Sequence, residues 1–321
     1  MPTYALLGAT GATGSSVLRH LLNTHRAPNA NAAATSNSNS NPNPSLNLNI
    51  LVRSKPKLLF TFPTLESHSH SHYPTNSSSP GIQIQITEGS ATDPTALDSV
   101  LHSACIIFMC VATNDSTIGR TLTQDTASAI LASLRRLRHS SKPRSLYVTP
   151  TLIQLRSASL NPPLAAQVPR FVSRAVRFCL AAQYADLAAA CASYEQAARD
   201  EKGLLEYVLV DPPTLHDAFG HTPPTGHRLI EDNEKERQAI CLSYADLGVA
   251  LCEVAGRAGE YKGRAVGVTA TGGVRMSWGV LAGYLFQGGV THLVYRCGGG
   301  ENVVVVAGCI VLVVVACLIV L

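Results

Sequence analysis

The chain has 321 residues, 46% of them apolar, and a formal net charge of +4. This length suffices for one α/β domain with a sizeable core, and the apolar content excludes a wholly disordered chain. The mild charge, without an arginine-rich run, predicts no nucleic-acid partner. Nine cysteines without a CxxC pair are typical of buried side chains in an intracellular protein. No signal peptide precedes the first strand, so we expect a cytoplasmic location.

Short apolar strands alternate with helical patterns, which is typical of repeated βα units in a parallel sheet. Residues 214–240 are predicted to form an irregular substrate lobe, and 278–293 are an apolar, glycine-containing stretch near the end of the domain. Strands are predicted over residues 4–7, 49–52, 82–87, 105–111, 145–148, 205–210 and 265–269, and helices over 15–23, 95–102, 121–138, 168–200 (broken near Gln183) and 243–255.

Two segments are too polar to join the core. Residues 27–47 are rich in Asn, Ser, Ala and Pro, and residues 63–80 in Ser, His and Pro, so both are predicted to be disordered insertions. His68, His70 and His72 alternate with serine in the second segment. A low-complexity loop loses much entropy when it is ordered around an ion, so we expect no metal site.

A glycine-rich turn joins the first strand to the first helix. Gly8, Gly11 and Gly14 have the spacing that permits a tight turn, backbone approach to a pyrophosphate and close helix–strand packing. Thr10 and Thr13 can add hydroxyl contacts, and the free N–H groups of the helix start bind anions. The turn therefore predicts a dinucleotide site; the alternative is a turn that only tightens the connection.

The residue after the second predicted strand indicates which dinucleotide is bound. When the first insertion is removed, Arg53 lies about 20 positions after the turn, where NAD-binding proteins carry an acidic residue. A guanidinium suits a 2′-phosphate, and Lys55 and Lys57 follow it. We expect NADP(H) as the cofactor; an exposed basic loop without a ligand is the alternative.

These features predict an α/β fold, a Rossmann-type doubly wound parallel sheet with a small C-terminal substrate lobe. The chain resembles the atypical short-chain dehydrogenase/reductases of the NmrA-like type over residues 1–295, apart from the insertions. The resemblance is carried by Leu-Gly-Ala-Thr-Gly-Ala-Thr-Gly at 7–14, Leu-Val-Arg at 51–53, Val-Ala-Thr-Asn at 111–114, Leu-Val-Asp-Pro-Pro at 209–213 and Ser-Tyr-Ala-Asp-Leu at 243–247.

More narrowly, residues 225–227 and 278–293 resemble the averufin oxidase A group of fungal oxidoreductases. The resemblance implies NADP(H) and a polycyclic aromatic polyketide substrate of the anthraquinone or xanthone type. It implies cofactor contacts for the glycine-turn residues and Arg53, and it places Ala112 and Thr113 beside the nicotinamide ribose. Ser90 occupies the position where many relatives have an aspartate that meets the adenine, although Asp93 lies close by in the sequence.

Catalytic groups are harder to assign. Short-chain dehydrogenases usually pair a Tyr with a Lys four residues later, but Tyr184 is followed by Ala188 at that distance. We expect Tyr184 as a phenol acid, Thr149 as a strand-end hydroxyl for a substrate carbonyl, and His216 as a general acid or base. Each has a structural alternative: a core or surface Tyr, a strand-end Thr bonded to backbone, or a loop His.

Two function classes therefore remain open. The first is an NADP(H)-dependent oxidoreductase, in which the cofactor supplies the hydride chemistry and the protein orients the partners. The second is a non-catalytic NADP-binding redox sensor or regulator of the NmrA type, which the missing lysine favours. The long apolar C-terminal part, which can line a flat hydrophobic pocket, favours the enzyme.

Residues 296–321 are predicted to be a hydrophobic tail outside the domain. Residues 303–321 carry no charge, and nineteen residues just span a hydrocarbon core as a helix. A membrane tail anchor, a buried strand or helix of the fold, and a stretch added by a gene-model error remain alternatives.

Overall fold

The computed structural model describes residues 1–25, 45–66, 81–113, 117–141, 143, 146–217, 222–231, 236–273 and 278–296. Its strands are β1 Thr3–Leu7, β2 Leu46–Val52, β3 Ile82–Glu88, β4 Ile106–Met109, β5 Thr151–Leu155, β6 Glu206–Asp211, β7 Thr214–His216, β8 His227–Ile230, β9 Cys241–Ser243 and β10 Arg264–Ala270.

The helices of this part of the chain alternate with the strands. They are α1 Ala12–Thr24, α2 Lys55–Thr61, α3 Pro94–Leu101, α4 Leu122–Ser140, α5 Pro162–Ala165, α6 Arg170–Cys179, α7 Ala181–Asp200, α8 Tyr244–Gly256, α9 Ala258–Tyr261 and α10 Trp278–Arg296, with 3-10 turns at Pro63–Leu65 and Ala158–Leu160.

One large sheet has the strand order β3-β2-β1-β4-β5-β6-β10-β8, and β7 and β9 pair separately. Every neighbouring pair in the large sheet is parallel except β10 with β8. The chain winds outward in both directions from β1 and β4. In such sheets ligands bind beyond the carboxyl ends of the strands, at the point where the winding direction changes.

Side chains of β1 alternate between two cores, one on each face of the sheet. Leu6 packs on the first face, in a buried cluster that includes Leu18 of α1 and Leu247 of α8. Leu7 packs on the second face, with residues such as Ile130 of α4 and Tyr194 of α7. Helices thus cover both faces of the sheet, which confirms the predicted doubly wound α/β fold.

Helices α6 and α10 form a small helix pair outside these two cores. Buried Cys179 and Leu285 lie at the centre of their contact, and the Phe178 and His292 rings meet edge to face with centroids 4.7 Å apart. The pair therefore has its own small apolar contact.

The fifth strand differs from the sequence prediction. It was expected at residues 145–148 but runs from Thr151 to Leu155, because its register is set by pairing with β4 and β6. Local β-propensity over residues 145–148 is overridden by this pairing. The predicted break near Gln183 in the long helical stretch is confirmed, and it falls three residues earlier, at Leu180.

The two segments predicted to be disordered insertions, 27–47 and 63–80, are shorter than expected, because both ranges include residues of regular structure. Strand β2 begins at Leu46, inside the first, and Leu65, inside the second, is buried in a 3-10 turn. Residues 26–44 and 67–80, which contain the rest, lie outside the described residues, as does the hydrophobic stretch 303–321. None of the described helices has the length and apolarity needed to span a membrane.

Candidate functional site

The glycine turn after β1 depends on the absence of side chains. Gly8 has φ +88°, and a Cβ atom there would lie 2.7 Å from the carbonyl oxygen of Cys110. A Cβ on Gly14 would lie 2.7 Å from the carbonyl carbon of Gly8 and 2.9 Å from the Cα of Ala9. These approaches are closer than side chains tolerate, so the turn can form only with glycine at both positions.

Helix α1 begins at this turn without a side-chain cap. Gly11 is the N-cap residue, and no side chain in the described part of the chain accepts from the first N–H groups. The Gly11 N–H donates to the Gly8 carbonyl over 3.0 Å. Thr13 is buried, while Thr10 is partly exposed. The remaining N–H groups of the first turn are available to an anion, which the helix dipole also favours.

Arg53 lies at the end of β2, next to the turn. The Gly8 N–H donates to the carbonyl of Leu51 over 3.4 Å, which holds the turn against β2. Arg53 is exposed and has no hydrogen bond or ion pair with the described residues. Ser54 caps α2 by accepting from the backbone N–H of Lys57. The structure thus leaves the Arg53 guanidinium available to a ligand.

Ala112 and Thr113 follow β4 on the other side of β1. The Cys110 N–H donates to the Leu7 carbonyl over 3.1 Å, so the chain leaves β4 directly beside the turn. Ala112 is exposed. The structure therefore brings all eight predicted cofactor residues to one edge of the sheet, and their contact with a cofactor stays a prediction. Asp93 caps α3, where it accepts from Thr95 N–H at 2.9 Å.

A pair of hydroxyl groups lies farther along the same edge. Tyr184, in the first turn of α7, has its hydroxyl oxygen 3.2 Å from the Oγ of Ser157. Ser157 follows β5 by two residues. Ser157 was not among the predicted site residues, because the fifth strand was expected to end at residue 148, just before Thr149. The apolar run Thr151–Leu155 after Pro150 was the signal that could have identified it.

Thr149 does not belong to this edge. It precedes β5, and its hydroxyl donates to the Gly203 carbonyl over 3.1 Å. The five residues of β5 separate it from Ser157 by roughly 17 Å. The prediction that Thr149 follows the fifth strand is therefore wrong, and the geometry gives it no place beside Tyr184.

A buried ion pair supports the strand end that carries Ser157. Arg156 donates through Nε and Nη2 to the two carboxylate oxygens of Asp211, at 2.7 and 2.6 Å. Asn161 adds a third hydrogen bond to Asp211 at 2.8 Å. Burial opposes the charged form of Arg156, but the hydrogen bonds and charge of Asp211 outweigh it and raise its pKa. These contacts join the ends of β5 and β6.

Cys191 is a further titratable group near Arg156. It is buried on α7, and burial raises the pKa of its thiol to about 12, while the charge of Arg156 opposes that shift. The thiol is therefore neutral at physiological pH. The guanidinium that acts on this thiol is that of Arg156, directly after β5.

His216 lies beyond the end of β6, in the small β7-β9 sheet, where it is in register with Ser243. Its Nε2 atom is buried and has no hydrogen-bond partner within the described residues. An unsatisfied buried nitrogen is costly and calls for an explanation, such as a ligand that bonds to it. Tyr184 and His216 thus share the carboxyl edge, but no contact joins them.

A second buried carboxylate holds the segment before β8. Asp246 is fully buried and accepts from the backbone N–H groups of Thr225 and Gly226, both at 2.8 Å, and from the Ser243 hydroxyl at 2.6 Å. Helix α8, which carries Asp246, also packs closely on α1. A Cβ on Gly248 would lie only 2.6 Å from the carbonyl carbon of Ser16. Residues 225–227 and 243–247, which carried the resemblance, thus contact one another.

Curated relatives match nearly the whole chain. An averufin oxidase of Emericella nidulans is 56% identical over 317 residues, which cover 97% of this chain and 96% of that protein. Averufin oxidase A of Aspergillus flavus is 51% identical over 293 residues, 91% of each chain. The chain belongs to the averufin oxidase family. A further protein of Emericella nidulans, named as an oxidoreductase, is 30% identical over 84% of this chain and 82% of its own length.

Membership of the averufin oxidase family decides between the two open function classes. The relatives are named as oxidases and oxidoreductases, so the chain is an oxidoreductase enzyme. The same relatives confirm the narrower resemblance.

A solved structure independently agrees on the fold. A wide-type short-chain dehydrogenase/reductase of Veillonella parvula, in complex with NADP, superposes with a TM-score of 0.53 at 15% identity. The match covers 84% of this chain and 95% of that one. No protein-family model matches the chain.

Proposed function

We propose that this averufin oxidase family member uses NADP(H) to oxidise or reduce a polycyclic aromatic polyketide, of the anthraquinone or xanthone type, in fungal secondary metabolism. The observation that carries the proposal is the pair of hydroxyl groups of Ser157 and Tyr184 on the same sheet edge as the glycine turn. The name averufin oxidase, shared by the most similar relatives reported above, supports the substrate class.

The part of the site around the glycine turn would hold the dinucleotide through backbone N–H groups and through the guanidinium of Arg53. The uncapped N–H groups after Gly11 suit the pyrophosphate, and the hydroxyls of Thr10 and Thr13 would add hydrogen bonds to it. Arg53 suits a 2′-phosphate, since its guanidinium has no partner within the described residues. Ala112 and Thr113 would border the nicotinamide ribose. The bound cofactor supplies or accepts the hydride.

The substrate half would orient the ring oxygen that gains or loses a proton. Tyr184 donates a hydrogen bond to this oxygen, and Ser157 supports it from 3.2 Å. His216 offers a buried nitrogen without a partner, which suits a phenol of the substrate. Thr149 has no role in this proposal, because it lies at the opposite edge of the sheet.

Dissociation constants for NADPH and NADH test the cofactor assignment. We expect the unmodified protein to bind NADPH more tightly, and Arg53→Ala to weaken NADPH binding by about 10- to 100-fold with NADH binding unchanged. Arg264→Ala is the matched control, because Arg264 is an exposed arginine at the start of β10, at the edge of the sheet opposite the glycine turn. Tighter binding of NADH than of NADPH by the unmodified protein would contradict the assignment.

Turnover of averufin and related anthraquinones, followed by nicotinamide absorbance and product analysis, tests the reaction. We expect Tyr184→Phe to lower kcat by roughly 100-fold or more without changing the Kd for NADPH, because a positioned proton donor is lost. Thr149→Val is the control and should retain full activity. If a Tyr184→Phe/Ser157→Ala double variant kept full activity, the proton would have to be transferred by another group, and the proposed role of the hydroxyl pair would be wrong.

A further inference from the structure

One face of helix α6 is exposed and strongly basic. Arg170, Phe171, Arg174 and Arg177 recur at helical spacing and are all exposed, with Phe171 53% accessible. Phe286 on the paired helix α10 is also 41% accessible. We call these five residues the Arg/Phe face. Two large exposed aromatic rings on the same helix pair as three exposed arginines call for an explanation, because exposed apolar groups of this size often mark an interaction site.

The arginines of this face are not neutralised within the described residues. Arg170 and Arg174 have no hydrogen bond or ion pair there. Arg177 donates to the carbonyl of Ser159 at 2.6 and 3.1 Å, which fixes its side chain but adds no negative charge. Residues 157–185 contain no Asp or Glu, and neither do residues 278–300. Helix α6 thus presents positive charge, and neither helix has an acidic neighbour in its own sequence.

We propose that the Arg/Phe face binds the surface of a membrane that contains anionic lipids. Basic side chains are attracted to anionic headgroups, and aromatic rings on the same surface enter the boundary between headgroups and acyl chains. The five residues combine both elements on one helix pair. None of the five residues belongs to the hydroxyl pair or to the glycine turn, so the inference does not depend on the proposed reaction.

Charge favours a lipid surface over a second copy of this chain. A two-fold contact would bring the same arginines of two copies against each other, and like charges repel. The sequence also favours lipid, because residues 303–321, which follow α10 along the chain, carry no charged residue. A hydrophobic stretch is therefore covalently continuous with the helix that bears Phe286.

Vesicle flotation with the full-length protein tests the proposal. Phosphatidylcholine vesicles with and without phosphatidylserine are compared at low and high salt. We expect at least about 10-fold stronger binding to the anionic vesicles, weakened by salt. Arg170→Glu/Arg174→Glu should lose this preference, and Phe171→Ser should weaken binding to anionic vesicles. Circular dichroism and the Kd for NADPH should stay unchanged, which shows that the variants fold.

The control variant carries the same change of charge at the other edge of the sheet. Lys262→Glu/Arg264→Glu alters two exposed residues at the start of β10 and should keep the binding of the unmodified protein. Equal loss in both double variants would overturn the proposal, because net charge alone would then explain binding. So would unchanged binding of Arg170→Glu/Arg174→Glu, equal binding of the unmodified protein to both vesicle types, or a dimer that Phe171→Ser abolishes.

Discussion

The carboxyl edge of the sheet has two halves that are built by different means. Around β1, β2 and β4, the site is made of backbone: Gly8 at φ +88°, an uncapped helix start and a glycine contact at Gly14. Around β5, β6 and the segment before β8, it depends on two fully buried carboxylates, Asp211 and Asp246, each with several donors. The first half excludes side chains, and the second requires particular ones.

This difference decides how each half can fail. An added Cβ in the first half meets backbone atoms, which cannot rotate away as a side chain can. A lost carboxylate in the second half leaves buried donors without an acceptor, and for Arg156 it leaves a charge without a counter-ion. We therefore expect changes in the first half to act mainly on cofactor affinity, and changes in the second to act mainly on stability.

The largest expected effect is in the second half. Asp211→Ala leaves the Arg156 guanidinium, only 14% exposed, without its partner. We expect the free energy of unfolding to fall by about 3–5 kcal/mol, measured by urea denaturation. Glu201→Gln, which breaks the exposed Arg135–Glu201 pair, is the control and should change Tm little. A stability loss no larger than that of the control would refute the buried pair as the support of this half.

An intermediate effect is expected in the first half. Gly14→Ala places a Cβ 2.7 Å from the Gly8 carbonyl carbon, so the turn must shift. We expect NADPH binding to weaken by at least about 10-fold, and the free energy of unfolding to fall by about 1–3 kcal/mol. Gly256→Ala in α8 is the matched control, because its Cβ meets nothing within 4 Å. If Gly14→Ala bound NADPH normally, the backbone account of this half would be wrong.

The smallest effect is expected where the two halves meet. His20 on α1 is half-buried, and burial first, then the charges of His227 and His25, lower its pKa. The native state therefore binds a proton less readily than the unfolded state, so His20 makes stability fall as pH drops below about 6.5. His20→Gln should flatten this part of the stability–pH curve, whereas His102→Gln, at an exposed position, should not. Identical curves for both variants would show that His20 is not responsible.

The same contrast explains what the sequence could predict. The glycine turn, the place of Arg53 and the order of the early elements follow from local spacing, since each is set within one βα unit. Arg156 and Asp211 are 55 residues apart, and Thr225 and Asp246 are 21 apart. No local pattern indicates that such residues meet, so the supports of the second half became visible only in the folded chain.

One local error also had consequences at a distance. The segment before Pro150 has the residues of a strand, but pairing with β4 places the strand after it. Because the strand was predicted too early in the chain, Thr149 was expected at the carboxyl edge of the sheet, whereas it lies at the amino edge. The error put Thr149 at the strand end, where the folded chain has Ser157, whose hydroxyl lies 3.2 Å from that of Tyr184. Strand register, which depends on partners far along the chain, is the property that local reasoning determines least well.

The narrow limits of the two polar insertions have a practical consequence. Strands β2 and β3 begin at Leu46 and Ile82, one residue after the described chain resumes, and these strand starts lie at the edge opposite the glycine turn. The entropic cost of closing a loop depends only weakly on its length, so shortening these connections should change the free energy of unfolding little. A recombinant protein with residues 26–44 and 67–80 replaced by short linkers should therefore keep its NADPH affinity and its turnover, and would offer crystallographers a chain with less low-complexity sequence.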